Sequence, residues 1–94
     1  MHRRRLATTE ELIAIESPDS EEAHERLAAV ADDHDLGFET VEVGDSIEDI
    51  YQEERATLGL TLGGDGTFLE GIRTFAPRSV PLLGLNTGTL AFLA

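Results

Sequence analysis

Residues 56–75 pass from an apolar stretch through three glycines into an amphipathic stretch, with no spacer between them. Ala56–Leu62, apolar at Leu58, Leu60 and Leu62, reads as a strand. Gly63-Gly64-Asp65-Gly66-Thr67 follows directly. Thr67–Phe75 then reads as a helix, with Leu69, Ile72 and Phe75 as core positions and Pro77 as its stop. A strand that turns into a helix across a glycine loop is half of a parallel crossover unit. It commits the chain to a sheet covered by helices.

The remaining segments repeat that alternation. Glu11–Ile15 reads as a buried strand. Ser17 and Pro18 predict a helix start, a hydroxyl cap followed by proline at the first helical position, with Asp19, Glu21 and Glu22 in the first turn. Ala23, Leu27, Val30 and Ala31 make one apolar stripe, and Gly37 reads as the stop. Phe38–Val43 is a second strand, with Val41 and Val43 on one face. Ile47–Glu54 is a weaker helical segment, Val80–Leu85 a fourth strand, and Asn86-Thr87-Gly88 a turn. The order predicts a single α/β domain with a parallel sheet, whose ligand sits at the carboxyl ends of the strands. Three loops leave those ends: 16–18, 63–67 and 86–89. Residues 1–10 read as a basic, disordered tail, and 11–94 as the domain. Leu90–Ala94 is an apolar run without a polar cap, which suggests that a longer protein continues from it or that a partner covers it.

Charge narrows the setting. Nineteen acidic residues face seven basic ones, all arginine, for a net charge of −12. Charge of one sign repels itself and opposes compaction, and salt screens that repulsion, the Debye length falling to about 3 Å at 1 M. The composition therefore suits a halophilic cytosol. It also argues against a nucleic-acid partner, whose phosphates would be repelled. No cysteine is present, so no thiolate site exists. No apolar run approaches the ~18 residues of a membrane span. Nor does an apolar segment of the signal-peptide kind follow the basic start. The expected location is the cytoplasm, with no membrane partner. His2, His24 and His34 lack neighbours at metal-ligand spacing, so no metal site is expected on the chain.

The glycine loop carries the chemistry. Glycines let a phosphate approach the backbone, successive N–H groups form an anion-binding nest, and the helix that follows adds its dipole. A carboxylate in such a loop would repel a phosphate. Asp65 makes sense if it faces a hydroxyl and accepts its proton during phosphoryl transfer. Thr67 can cap the helix and donate to a phosphate. The plain alternative is a tight turn with an Asp cap. The loop is not a Walker A motif, since the Gly-Lys-Ser/Thr end is missing, and it lacks the spacing of the dinucleotide fingerprint.

Gly63-Gly64-Asp65-Gly66-Thr67 resembles the loop shared by NAD kinases, diacylglycerol and sphingosine kinases, and phosphofructokinases. A second stretch, Gly84-Leu85-Asn86-Thr87-Gly88-Thr89-Leu90-Ala91-Phe92-Leu93, is similar to the NAD kinase segment Gly-aliphatic-Asn-x-Gly-x-Leu-Gly-Phe-Leu. It departs from it at Ala91, where glycine is usual. The resemblance implies a Rossmann-like, three-layer parallel-sheet domain of the phosphofructokinase/NAD kinase N-terminal type. The family's second, mostly β domain, with its Asn-Glu/Asp motif, is absent from these residues. It implies phosphorylation of the adenosine-ribose 2′-hydroxyl of NAD by ATP or polyphosphate with Mg²⁺, in a homo-oligomer.

Carried over residue by residue, the resemblance makes Asp65 the candidate base. Gly63, Gly64, Gly66 and Thr67 lie against NAD or the donor phosphates. Leu69, Leu90 and Phe92 line the NAD pocket, and Asn86 hydrogen-bonds across the site. Core packing is the alternative for the three apolar residues, and a simple turn role for Asn86. A lipid-type kinase with the same loop and a non-catalytic nucleotide-binding module remain the competing functions.

Overall fold

The structure is a computed structural model, and it describes residues 9–86 and, as backbone, 90–92. The elements are β1 (Glu11–Glu16), α1 (Glu21–Asp33), β2 (Gly37–Glu42), β3 (Thr57–Leu62), α2 (Asp65–Phe75), β4 (Leu82–Leu85) and β5 (Leu90–Phe92). The strands form one sheet in the order β2-β1-β3-β4-β5. The first four are mutually parallel, and β5 runs antiparallel to β4, pairing Leu83 with Phe92 and Leu85 with Leu90. This is the α/β architecture the alternation of segments predicts, extended by one strand. Asn86-Thr87-Gly88 turns out to lie between β4 and β5, and Thr87–Thr89 fall outside the described residues. Leu90–Phe92 thus forms the last strand in the sheet order.

Side chains alternate across the sheet, and each face takes one helix. Leu12 and Ala14 of β1, with Leu60 and Leu62 of β3, pack against Ala31 of α1, and Ala23 and Leu27 join them. Ile13 and Ile15 point the other way and pack with Phe75 of α2, Val80 and Ile47. Phe75 and Ile13 are fully buried, each contributing about 1.5–3 kcal/mol by leaving water. At the amino end of β1 the carboxylate of Glu11 is buried and meets the Arg55 guanidinium at 3.2 Å.

Several local expectations are corrected. Helix α1 begins at Glu21 with Ser20 as its N-cap residue, so Ser17-Pro18 stays in the preceding loop and Asp19 lies outside the first turn. The Ser20 hydroxyl reaches back to the Ser17 carbonyl at 2.6 Å. Val30 is 46% exposed, because α1 covers the sheet with its Ala23–Leu27–Ala31 line instead. Asp35, with φ 60°, makes the left-handed turn after α1, and Gly37 instead opens β2. Val43 lies past the end of β2 and is exposed.

Segment 47–54 is not a helix. Bonds from Ile50 and Tyr51 N–H to the Ile47 carbonyl make one turn that goes no further, as expected where nucleation cost outweighs a short run. Ile47 is nevertheless fully buried. Strand β4 starts at Leu82, two residues later than expected, although Val80 is buried. On α2 the buried line is Thr67, Gly71 and Phe75, at a spacing of four, and Leu69 and Ile72 are exposed. A small residue at position 71 lets the helix approach the sheet, and this rotates the larger aliphatic side chains outward.

Candidate functional site

Strand β1 sends its chain to the α1 face and β3 sends its chain to the α2 face, so the connections part company between these neighbours. That divergence is the topological switch point of an open α/β sheet, where ligands settle at the carboxyl ends. The loops at this point are 16–18 and 63–67. Each is fastened to the end of a neighbouring strand: the Ser17 N–H donates to the Leu62 carbonyl at the end of β3 at 2.9 Å, and the Gly63 N–H to the Leu85 carbonyl at the end of β4 at 3.0 Å. Ends of β1, β3 and β4 are thereby drawn to one place, and Asn86 follows Leu85 there.

Gly63 has φ +154°, a backbone state that favours glycine. A Cβ on it would stand 2.6 Å from Thr67 Oγ1 and 2.7 Å from Ser17 Oγ. The loop passes through a slot only as wide as a backbone. Gly64 and Gly66 differ, since a Cβ at either meets nothing within 4 Å. Their open side faces solvent, and both are exposed. A large partner can therefore lie against the backbone here.

Helix α2 starts at Asp65, with Gly64 at the N-cap and no side-chain cap bond. The helix's first amide bond runs from Phe68 to the Gly64 carbonyl at 3.1 Å. The N–H groups of Asp65, Gly66 and Thr67 precede it, uncapped among the described residues, as an anion-binding helix start requires. Thr67 does not cap the helix, a correction to the sequence reading. It is the third residue of α2 and 93% buried against Gly63, because the N-cap position falls to Gly64. Asp65 stands exposed at the mouth of the loop and does not cap the helix either.

Leu69 is on the solvent side of α2, one turn beyond Asp65, and 52% exposed. Asn86 is half-buried and, with Gly63, Leu62 and Leu85, lines a cavity of about 380 Å³ against α1. Leu90 and Phe92 occupy β5 by backbone, and their side chains lie outside the described residues. Among the described residues no three His, Cys, Asp or Glu side chains are grouped to hold a metal ion. Instead, His24 of α1 pairs through Nδ1 with the Glu16 carboxylate and tilts against the Phe38 ring.

Sequence reasoning missed Ser17 as part of the site. Its loop is visible in the sequence by its place after a strand, but a serine before proline reads locally as a helix cap. A wider groove of about 1010 Å³, lined by Thr57, Pro81 and Arg78, lies at the amino ends of the strands. It offers no glycine loop and no long helix start.

Residues 4–94 match the family profile described as ATP-NAD kinase N-terminal domain. Curated relatives named NAD kinase include that of Bacteroides fragilis, 43% identical over 49 residues, covering 50% of this chain and 17% of the relative. The Carboxydothermus hydrogenoformans protein is 51% identical over 41 residues, covering 44% and 15%. That of Nitrosospira multiformis is 50% identical over 52 residues, covering 52% and 18%. The matches thus span less than a fifth of these relatives' lengths. No solved structure gives a significant match.

Proposed function

The chain belongs to the ATP-NAD kinase family through its N-terminal domain, and from that premise we propose that residues 11–94 form the nucleotide-binding half of an enzyme that converts NAD to NADP. The observation that carries this reading is the meeting at one point of Gly63, an uncapped α2 start and an exposed carboxylate, Asp65. The free N–H groups suit phosphate oxygens, and the open sides of Gly64 and Gly66 suit a close-lying nucleotide. Asp65 accepts the proton of the adenosine-ribose 2′-hydroxyl as its oxygen bonds to the terminal phosphorus of ATP and the bond to ADP breaks. Polyphosphate can replace ATP in the same balance.

Leu69 offers NAD an exposed apolar surface, and the same reading assigns Leu90 and Phe92 to contacts with NAD and Asn86 to a hydrogen bond across the site. Asp65 is the one acidic side chain in the glycine loop, so the donor's Mg²⁺ would ride on its phosphates and contact Asp65 at most. Bound there, Mg²⁺ neutralises developing phosphate charge. Among the described residues no helix is long and apolar enough to cross a membrane. We place the full protein in a halophilic cytoplasm, as a homo-oligomer.

The test is NADP formation from NAD, ATP and Mg²⁺ in molar KCl, comparing the wild type with Asp65→Asn. Loss of about 10²–10⁴ in kcat with little change in KM is expected of a lost general base. Full activity in the variant would sink the assignment of Asp65. A folded wild type that binds NAD and makes no NADP would point to the non-catalytic nucleotide module.

A further inference from the structure

We propose that Ser17 is a positioning residue for the glycine loop, setting where the nucleotide site stands by bracketing Gly63 together with Thr67. The inference rests on the function proposed above and adds to it a residue of the first strand–helix loop, distant in sequence from residues 63–67.

Two hydroxyls converge on the bare side of Gly63. Thr67 Oγ1 and Ser17 Oγ lie 2.6 and 2.7 Å from the point a Cβ would occupy. Thr67 reaches it from within the same loop. Ser17 reaches it from another element and is itself held on both sides. Its N–H donates to the Leu62 carbonyl at 2.9 Å, and its carbonyl accepts the Ser20 hydroxyl at 2.6 Å. Ser20 is buried at the N-cap position of α1. The start of α1 on one face of the sheet is thus tied through Ser20 and Ser17 to Gly63, and so to the start of α2 on the other.

The tie falls on a sensitive joint. Gly63 has no side chain to define its own torsions, and Asp65 lies two residues further on. A small rotation at Gly63 therefore swings the carboxylate and the free N–H groups of α2 together. Ser17 touches the loop backbone rather than the reacting atoms, so its effect passes through Gly63.

The experiment is amide hydrogen exchange on the full chain, wild type against Ser17→Ala, paired with steady-state kinetics. The Gly63 and Phe68 amides, bonded to the Leu85 and Gly64 carbonyls, should exchange at least about fivefold faster in the variant. Amides in the middle of β1 and β3 should keep their wild-type rates, as in a local opening. In the kinetics, kcat should fall about tenfold with the KM for NAD within about twofold, the pattern of misplaced catalytic groups. Unchanged exchange at Gly63 and Phe68 overturns the inference. So does a uniform acceleration across the sheet, which would mean a general loss of stability, or a rise in KM alone, which would place Ser17 against the substrate. If the wild type forms no NADP, the proposed function fails, and the exchange result still decides whether Ser17 positions the loop.

Discussion

The Phe75 ring lies directly over Gly59, so close that a Cβ on Gly59 would stand 2.7 Å from Phe75 Cδ2. This contact seats the end of α2 on β3, and the same helix begins at the glycine loop. The packing of a core aromatic and the placement of Asp65 are therefore two ends of one rigid element.

Gly59→Ala should destabilise the protein by about 1–3 kcal/mol, because the added methyl meets ring carbons in a filled core. Urea denaturation checks this. The midpoint should fall with the slope unchanged, since the unfolded surface is the same. A midpoint equal to wild type would show that Phe75 shifts freely, contrary to its full burial.

Adjacent glycines in the loop should respond differently. Gly63→Ala places a methyl against Ser17 and Thr67 at φ +154°, and strain of this kind costs about 1–3 kcal/mol. Gly64→Ala, with φ −95° and open space around it, should leave stability within about 0.5 kcal/mol, as at ordinary surface positions. Both can lower activity, the second by obstructing a nucleotide. Calorimetric melting of the two variants side by side separates backbone strain from ligand obstruction.

Leu69→Ala tests whether the exposed aliphatic side chain serves a ligand. At 52% exposure it contributes little to the core, so the melting temperature should hold. The KM for NAD should rise about tenfold if a pocket wall is lost, the scale of a few methylenes. A fall in stability with KM unchanged would return Leu69 to a packing role.

Melting temperature should climb as KCl rises from 0.1 to 2 M. The formal charge is −12. Arginine pairs among the described residues neutralise only Glu11, Glu22 and Glu70 at contact distance. The repulsion left over is between exposed groups, which salt screens efficiently. A flat or falling curve would remove the halophilic reading.

Much of this molecule is legible without coordinates. Strand β1 and strand β3 follow from short apolar runs, and the glycine loop is visible between β3 and α2. These are local signals, carried by neighbours in sequence. Residues whose roles depend on distant partners are not legible in this way. Leu69 and Ile72 look like core because they are large and apolar, yet Gly71 brings α2 against β3 and turns them out. Ile47 looks like part of a helix and is instead a plug delivered by a turn. Ser17 looks like a cap and instead closes the slot around Gly63. By itself the sequence determined most of the strand–helix alternation, the net acidic charge and the glycine loop between β3 and α2, because propensity, composition and backbone freedom act over a few residues. Only the tertiary structure decided which face of α2 is buried, where Asp65 stands and which residue holds Gly63, because those depend on close packing between segments far apart in the chain.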